Sequence, residues 1–376
     1  MSQGAHPGRL AVAAIRELAP YVPGKPASEL ERELGIRAQD IAKLASNENP
    51  YGPSPGSLAA MRAALEQVWL YPDGASHGLK AALSSHLGVD AACLTIGNGS
   101  NDLLMLLAEA FLTPAHSAVY SEHAFAIYAL VTRQTGALGI EVPTLVRDSA
   151  MPLGHDLAAM CAAIDEHTRL VFIANPNNPT GTWASPAQLR DLLARAPSST
   201  LVVLDEAYLE YALERGLPDA LSWLREYPNL VLLRTFSKAY ALAGARVGYA
   251  VSHPEVAEVL NRLRPPFNVN SVGQAGAIAA LADPAHMQRT VALTVSELRR
   301  VQGALSGLGI WSAPSAGNFL LVHVGAQVTP VFERLLRAGL IVRPLIGYRL
   351  PEYVRISIGT PEQNDRLLHE LPAAIA

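Results

Sequence analysis

Cysteine is nearly missing from this chain of 376 residues, which has only Cys93 and Cys161. Two thiols in apolar or helical-looking segments make no disulfide framework and lack the spacing of a metal motif. They read as buried free thiols of a reducing compartment. A basic excess is missing too: 29 Lys and Arg stand against 33 Asp and Glu, for a net charge of −4. That balance leaves no electrostatic footprint for nucleic acid or an anionic membrane. No apolar run approaches the roughly 20 residues that span a bilayer. Residues 1–7 lack the basic and apolar regions of a secretory signal, so the expected location is the cytoplasm. Repeats, low-complexity tracts and long charge blocks are absent as well. What remains is half apolar and 16% charged, the make-up of a globular protein large enough for two packed domains.

The first forty-odd residues read as an arm. A helix-like segment at Leu10–Leu18 leads to a turn at Tyr21-Val22-Pro23-Gly24-Lys25-Pro26, then to a charged helix candidate at Ser28–Leu34. The stretch from Asn47 to Pro55 holds three prolines and must be largely loop, because each proline removes a backbone donor. A helix is expected at Leu58–Leu65, before the turn Tyr71-Pro72-Asp73-Gly74. Short apolar strand candidates follow at Cys93–Ile96, Ser117–Tyr120, Leu170–Ala174, Leu201–Leu204, Leu230–Leu233 and Val247–Val251. They alternate with helix candidates at Asn101–Phe111, Leu157–Ile164 and Pro186–Ala194. Apolar runs separated by helices predict a largely parallel, helix-covered sheet, an α/β architecture. After about residue 285 the pattern changes to a long polar helix, Met287–Leu305, with strands near Phe319–Val324 and Val354–Ile358. The expected division is an arm at 1–45 that joins the smaller domain, a large domain at 46–285, and a small α+β domain at 286–376.

Ligands of a parallel sheet bind beyond the carboxyl ends of its strands, and four such junctions carry unusual residues. Gly97-Asn98-Gly99-Ser100-Asn101 opens a helix; its glycines and free N–H groups suit a phosphate, although an ordinary capped turn has the same look. Asn175-Pro176-Asn177-Asn178-Pro179-Thr180-Gly181 is a stiff loop able to aim an amide side chain. Asp205, in Asp205-Glu206-Ala207-Tyr208, puts a carboxylate at the end of a buried strand. Such a carboxylate needs a cation, either a structural arginine or the protonated ring nitrogen of a cofactor. Thr235-Phe236-Ser237-Lys238 places a lysine at the mouth of the sheet, with Arg246 eight residues on. A neutral, buried lysine forms imines with aldehydes, and Ser237 and Arg246 both suit a phosphate.

Together these junctions offer an anion cradle (Ser100, Ser237, Arg246), an amide and a phenol (Asn178, Tyr208), a carboxylate (Asp205) and an amine (Lys238). Pyridoxal phosphate uses every one of them. The phosphate anchors it, the carboxylate keeps its ring nitrogen protonated, and the lysine holds its aldehyde.

The motifs A-S-N-E-N-P-Y-G-P-S-P (45–55), L-Y-P-D-G (70–74), G-N-G-S-N (97–101), N-P-N-N-P-T-G (175–181), D-E-A-Y (205–208), T-F-S-K-A-Y (235–240) and V-R-I-S-I-G (354–359) run nearly from end to end. With them the chain resembles the fold-type I pyridoxal-phosphate aminotransferases, most closely their histidinol-phosphate branch. The resemblance implies a large domain whose mostly parallel seven-stranded sheet is sandwiched by helices, plus a small α+β domain. It implies a Schiff base of pyridoxal 5'-phosphate on Lys238, which also shuttles the proton. Asp205 would pair with the ring nitrogen, while Asn178 and Tyr208 bond the ring hydroxyl and Phe125 stacks on the ring. Gly99, Ser100, Asn101, Ser237 and Arg246 would hold the phosphate. Tyr71 would reach into a neighbouring subunit's phosphate site, which makes a homodimer. Arg355 would grip the substrate carboxylate, with Arg343 as a second cation and Tyr21, Asn47 and Asn318 beside the substrate.

The implied reaction is transamination between glutamate and imidazole-acetol phosphate, giving 2-oxoglutarate and histidinol phosphate in histidine biosynthesis. An aromatic amino acid aminotransferase or a threonine-phosphate decarboxylase of this fold would share the motifs. A regulator built on the fold would carry an added DNA-binding module, for which the arm is too short. Two departures stand out: Asn101-Asp102 where the family often has Asp-Glu, and Ala241 and Ala245 where Gly and Leu are common.

Overall fold

The computed structural model describes residues 7–16, 18 and 24–376. Its strands in chain order are β1 (Ala42–Lys43), β2 (Leu94–Gly97), β3 (Ser117–Ser121), β4 (Leu138–Val142), β5 (Thr168–Ala174), β6 (Leu201–Asp205), β7 (Leu230–Thr235), β8 (Gly248–Ser252), β9 (Phe319–His323), β10 (Leu340–Ile341), β11 (Arg343–Leu345) and β12 (Leu350–Ser357). Seven of them form one sheet in the order β2-β8-β7-β6-β5-β3-β4. All neighbours are parallel except β8, which runs antiparallel to both β2 and β7. The apolar side chains of this sheet feed two cores, one on each face. Val171, Ile173, Val202 and Leu204 point to one, Leu170, Phe172 and Val203 to the other. Burial on both faces is why these strands read as continuous apolar runs.

A second sheet, β11-β12-β9, is antiparallel throughout. Its core takes Leu320, Val322, Val354 and Ile356 from the sheet and Leu298, Val301 and Leu305 from the helix Pro284–Gly307. Ala42 and Leu44, from far earlier in the chain, belong to the same core. β1 pairs in parallel with β10, and Ser357 N donates to Leu44 O at 2.9 Å.

Several expectations need correcting. The segment Leu10–Leu18 is not one helix among the described residues; a 3-10 turn at Pro7–Leu10 and four residues of helix at Ala13–Arg16 replace it. Leu10, Val12 and Ile15 stay 86%, 68% and 40% exposed, so no apolar face is buried to sustain a longer helix. Tyr21, Val22 and Pro23 lie outside the described residues. The structure adds β4, an edge strand paired with β3 and partly exposed, and the helix Ser271–Leu281, a Gly- and Ala-rich segment packed against Pro55–Leu65. Buried around much of its girth, that helix shows no polar stripe to betray its period.

Candidate active site

The four junctions converge. Ser100 and Asn101 at one helix start, Asn178, Asp205 with Tyr208, and Ser237 with Lys238 and Arg246 all line one cavity, as do Asn47, Phe125, Arg343 and Arg355. The sheet explains the meeting, since β2, β5, β6 and β7 deliver their carboxyl ends to this edge.

Asp205 and Glu206 show how local geometry separates two carboxylates. Consecutive residues at a strand end point to opposite faces. Glu206 meets the buried Arg234 guanidinium at 2.8 Å, which in turn reaches Asp219 at 2.5 Å. The structural salt bridge therefore belongs to Glu206. Asp205 accepts instead from two neutral donors, Tyr128 Oη at 2.9 Å and Ala207 N at 3.1 Å. Burial pushes its carboxyl up to about 6. Among the described residues no salt bridge balances it, and a cationic ring nitrogen would.

Lys238 follows β7 in a loop pinned by Phe236, which is fully buried and packs its ring on Tyr240 at 4.9 Å and Tyr249 at 5.8 Å. Its Nζ donates to Ser46 O at 3.0 Å. Burial first, then the positive charge of Arg355, pulls the amine down to about 7. An amine near neutrality is half unprotonated at physiological pH and so a competent nucleophile toward an aldehyde. Ala241, close behind, takes φ 57. This left-handed conformation costs an alanine about 1–2 kcal/mol, which explains why glycine suits the position.

The anion cradle is built from Gly99, which caps the helix Ser100–Phe111 at φ 82, and from Ser237 and Arg246. A Cβ at Gly99 would strike the Arg246 guanidinium, so the glycine is what lets the arginine lie over the helix start. Arg246 Nη1 reaches Ser237 Oγ at 3.4 Å and Ala243 O at 3.0 Å. Asp102 Oδ2 accepts from Asn98 N at 2.8 Å, bracing the turn from outside the cradle.

Across the cavity, Arg343 and Arg355 are direct register partners of β11 and β12. Side chains so paired share a face about 5 Å apart, and both arginines line the cavity. Arg355 donates to Asn178 Oδ1 and Ala45 O, each at 2.5 Å, while its buried Nε has no hydrogen-bond partner among the described residues. Tyr208 is 4% exposed, and burial pushes its phenol up to about 12, so it stays protonated. Its Oη accepts from Asn47 Nδ2 at 2.9 Å.

Tyr71 and Asn318 do not line this chain's own cavity. Tyr71 is 82% exposed and stacks on Phe267 at 4.8 Å, away from this chain's own cavity. Asn318 is fully buried behind Asn47, donating to its carbonyl at 3.0 Å. Tyr21 is outside the described residues. Conversely, Tyr128, Thr235 and Ser46 carry site geometry that sequence reading missed. Thr235 Oγ1 accepts from Ser237 N at 3.1 Å and holds Ser237 Oγ at 3.0 Å. Among the described residues no cluster could hold a metal ion, and no helix is long and apolar enough to cross a membrane.

A two-part α/β fold whose strand ends gather an amine, a carboxylate and an anion cradle defines an enzyme that works through a carbonyl cofactor. The chain belongs to the class I and II aminotransferases, whose family model matches residues 39–371. Among curated relatives it is 52% identical to histidinol-phosphate aminotransferase 2 of Pseudomonas aeruginosa over 98% of both chains. It is also 52% identical to the histidinol-phosphate aminotransferase of Methylobacillus flagellatus over 95% of both. The histidinol-phosphate aminotransferase of Sinorhizobium meliloti, solved in complex with pyridoxal-5'-phosphate, superposes with a TM-score of 0.86 at 32% identity over 97% of each chain.

Proposed function

We propose that this enzyme moves an amino group reversibly between glutamate and imidazole-acetol phosphate, yielding 2-oxoglutarate and histidinol phosphate. The observation that carries the substrate is the Arg343–Arg355 pair, two cations in register on one wall of the cavity. Histidinol phosphate offers a phosphate ester and no α-carboxylate, whereas glutamate offers two carboxylates. A wall able to receive different anions in turn serves both.

Pyridoxal 5'-phosphate fits the residues present. Asp205 has no cationic partner among the described residues, and Ser100, Ser237 and Arg246 line the part of the cavity that would take a phosphate. Lys238, lowered to about 7, awaits an aldehyde. When bound, the cofactor supplies an electron sink for the carbon that exchanges its amine. Lys238 anchors it, and its Nζ afterwards moves the proton to and from that carbon. Asp205 holds the ring nitrogen in its protonated form. Asn178 and Tyr208 would hold the ring hydroxyl, and Phe125 would pack on the ring. Ser100, Asn101, Ser237 and Arg246 fix the phosphate, while Asn47 steadies the Tyr208 phenol.

The same reading divides the chain at residues 45 and 285, with the arm joining the smaller unit. The apolar cores support this, because Ala42 and Leu44 pack with the C-terminal sheet.

The substrate is tested by kcat/KM for histidinol phosphate, phenylalanine and threonine phosphate, with 2-oxoglutarate as acceptor. Histidinol phosphate should lead by at least about a hundredfold, because a site built to bond a polar group of its substrate rejects an analogue lacking that group by more than this. An equal rate with phenylalanine would make this an aromatic aminotransferase, and carbon dioxide from threonine phosphate would make it a decarboxylase.

The enzyme is also inferred to act as a cytoplasmic homodimer. Val68, Trp69 and Tyr71 stand 63%, 79% and 82% exposed on one short segment, and Tyr71 stacks on the half-exposed Phe267. A contiguous apolar surface of this kind is an interaction site, and a second copy would bring Tyr71 to the neighbouring cradle. Sedimentation equilibrium should give twice the chain mass, with Trp69→Lys shifting it toward the monomer; a monomeric wild type refutes the assembly.

A further inference from the structure

Asp205 is held by a residue that none of the strand-end motifs contains. Tyr128 sits on the helix Ile127–Gln134, fully buried, with Oη donating to Asp205 Oδ2 at 2.9 Å. Its ring lies parallel to Phe172 at 5.0 Å and meets Phe125 edge-on at 5.9 Å. The backbone is pinned as well: Tyr128 N donates to Phe125 O at 3.0 Å, and Thr132 Oγ1 donates to Tyr128 O at 2.7 Å. One turn of chain thus carries both Phe125, which lines the cavity, and the phenol that reaches the carboxylate.

We propose that Tyr128 is a positioning residue of the reaction, whose phenol fixes the Asp205 carboxylate in place against the ring nitrogen of the cofactor. The proposal rests on the pyridoxal-phosphate reading of the site. Carboxylate oxygens accept two hydrogen bonds each. With Tyr128 on Oδ2 and Ala207 N on Oδ1, the group cannot rotate, yet each oxygen keeps a lone pair for the ring.

The same bond favours the anion. Burial favours the neutral acid of Asp205, and the hydrogen bond from Tyr128 is the largest influence against it, ahead of Ala207 N and the charge of Lys238. The phenol itself stays protonated, because burial and the adjacent Asp205 charge hold it well above its ordinary value. Tyr128 therefore remains a donor across the whole working range of pH. Were the residue only core filling, phenylalanine would serve as well.

Tyr128→Phe keeps the ring and removes the bond. In the cofactor-free protein, the Asp205 carboxyl carbon, labelled with 13C and assigned with Asp205→Asn, should titrate about one unit or more higher, the worth of a hydrogen bond to a charged group. The loaded enzyme should lose roughly 10-fold to 100-fold in kcat at nearly unchanged KM, because an interaction aimed at the electron sink acts in the transition state. In an Asp205→Asn background, Tyr128→Phe should cost nothing further. Phe172→Leu separates packing from the bond, since it loosens the stack and keeps the phenol; it should leave the Asp205 titration in place. An unmoved titration and full kcat in Tyr128→Phe would overturn the proposal, as would an equal shift in Phe172→Leu. A wild type that takes up no pyridoxal phosphate sinks the reading of the site instead, and the titration tells the two failures apart.

Discussion

Lys238→Ala is expected to turn over histidinol phosphate at least about 10,000-fold more slowly than the wild type, and to lose the visible absorbance of the lysine-bound cofactor. The change removes the covalent anchor and the proton carrier together, and a single acid–base group alone is worth about 100-fold to 10,000-fold. The cavity has no ready substitute. Lys43, close in sequence to Ser46 and Asn47 of the cavity, is engaged with Glu48 at 2.6 Å. A coloured and active variant would falsify the lysine assignment.

The pH dependence of the same amine follows from its surroundings. Burial and Arg355 lower it to about 7, so its neutral, nucleophilic form grows as pH rises through that point. Uptake of pyridoxal 5'-phosphate by the cofactor-free protein should therefore accelerate through one ionisation near neutrality and level off above it. A midpoint near the ordinary lysine value of about 10.4 would contradict the desolvated environment.

Asp205→Ala is expected to keep the cofactor and lose about 100-fold to 1,000-fold in kcat, the usual cost of deleting one aimed electrostatic group. Lys238 and the anion cradle are untouched by it, which is why binding survives. The ring nitrogen loses the anion that keeps its proton, and with it the electron-withdrawing power of the ring. Absorbance of the bound cofactor together with steady-state rates measures both effects. Near-normal kcat would remove Asp205 from the mechanism. The carboxyl, held near 6 by burial, also costs less to bury once protonated. As pH falls from about 6 toward the ordinary carboxylate value of about 3.9, the cofactor-free wild type should therefore progressively lose its stability disadvantage relative to the variant.

How much of this was legible beforehand depends on where each contact lies. β5, β6 and β7 are buried on both faces and announce themselves as apolar runs. Polar residues at their ends stand out against them, which is why Asn178, Asp205, Ser237 and Lys238 could be picked from sequence. β4 and the Ser271–Leu281 helix gave no such contrast. Tyr128 was invisible for another reason: an aromatic residue on a helix reads as core until its hydroxyl is seen against Asp205. Its spacing of three from Phe125 gave no helical signal, because Phe125 lies before the helix Ile127–Gln134 begins. Ser46 acts through a carbonyl, which no side-chain pattern records. Asn318 was expected beside the substrate; it sits one layer deeper and holds the Asn47 backbone.

The strand β1 has a consequence for how the enzyme is made. Ala42 and Lys43 pair with Leu340 and Ile341, Leu44 accepts from Ser357, and the residues just beyond hold Lys238 and Tyr208. A ribosome releases the early half of this clasp long before its late half exists. Pairings so distant in sequence form slowly, and domains fold as they emerge. The large sheet can therefore assemble around Asp205 and Lys238 while the substrate wall is still unwritten, and the catalytic pocket closes only once β11 and β12 have been made.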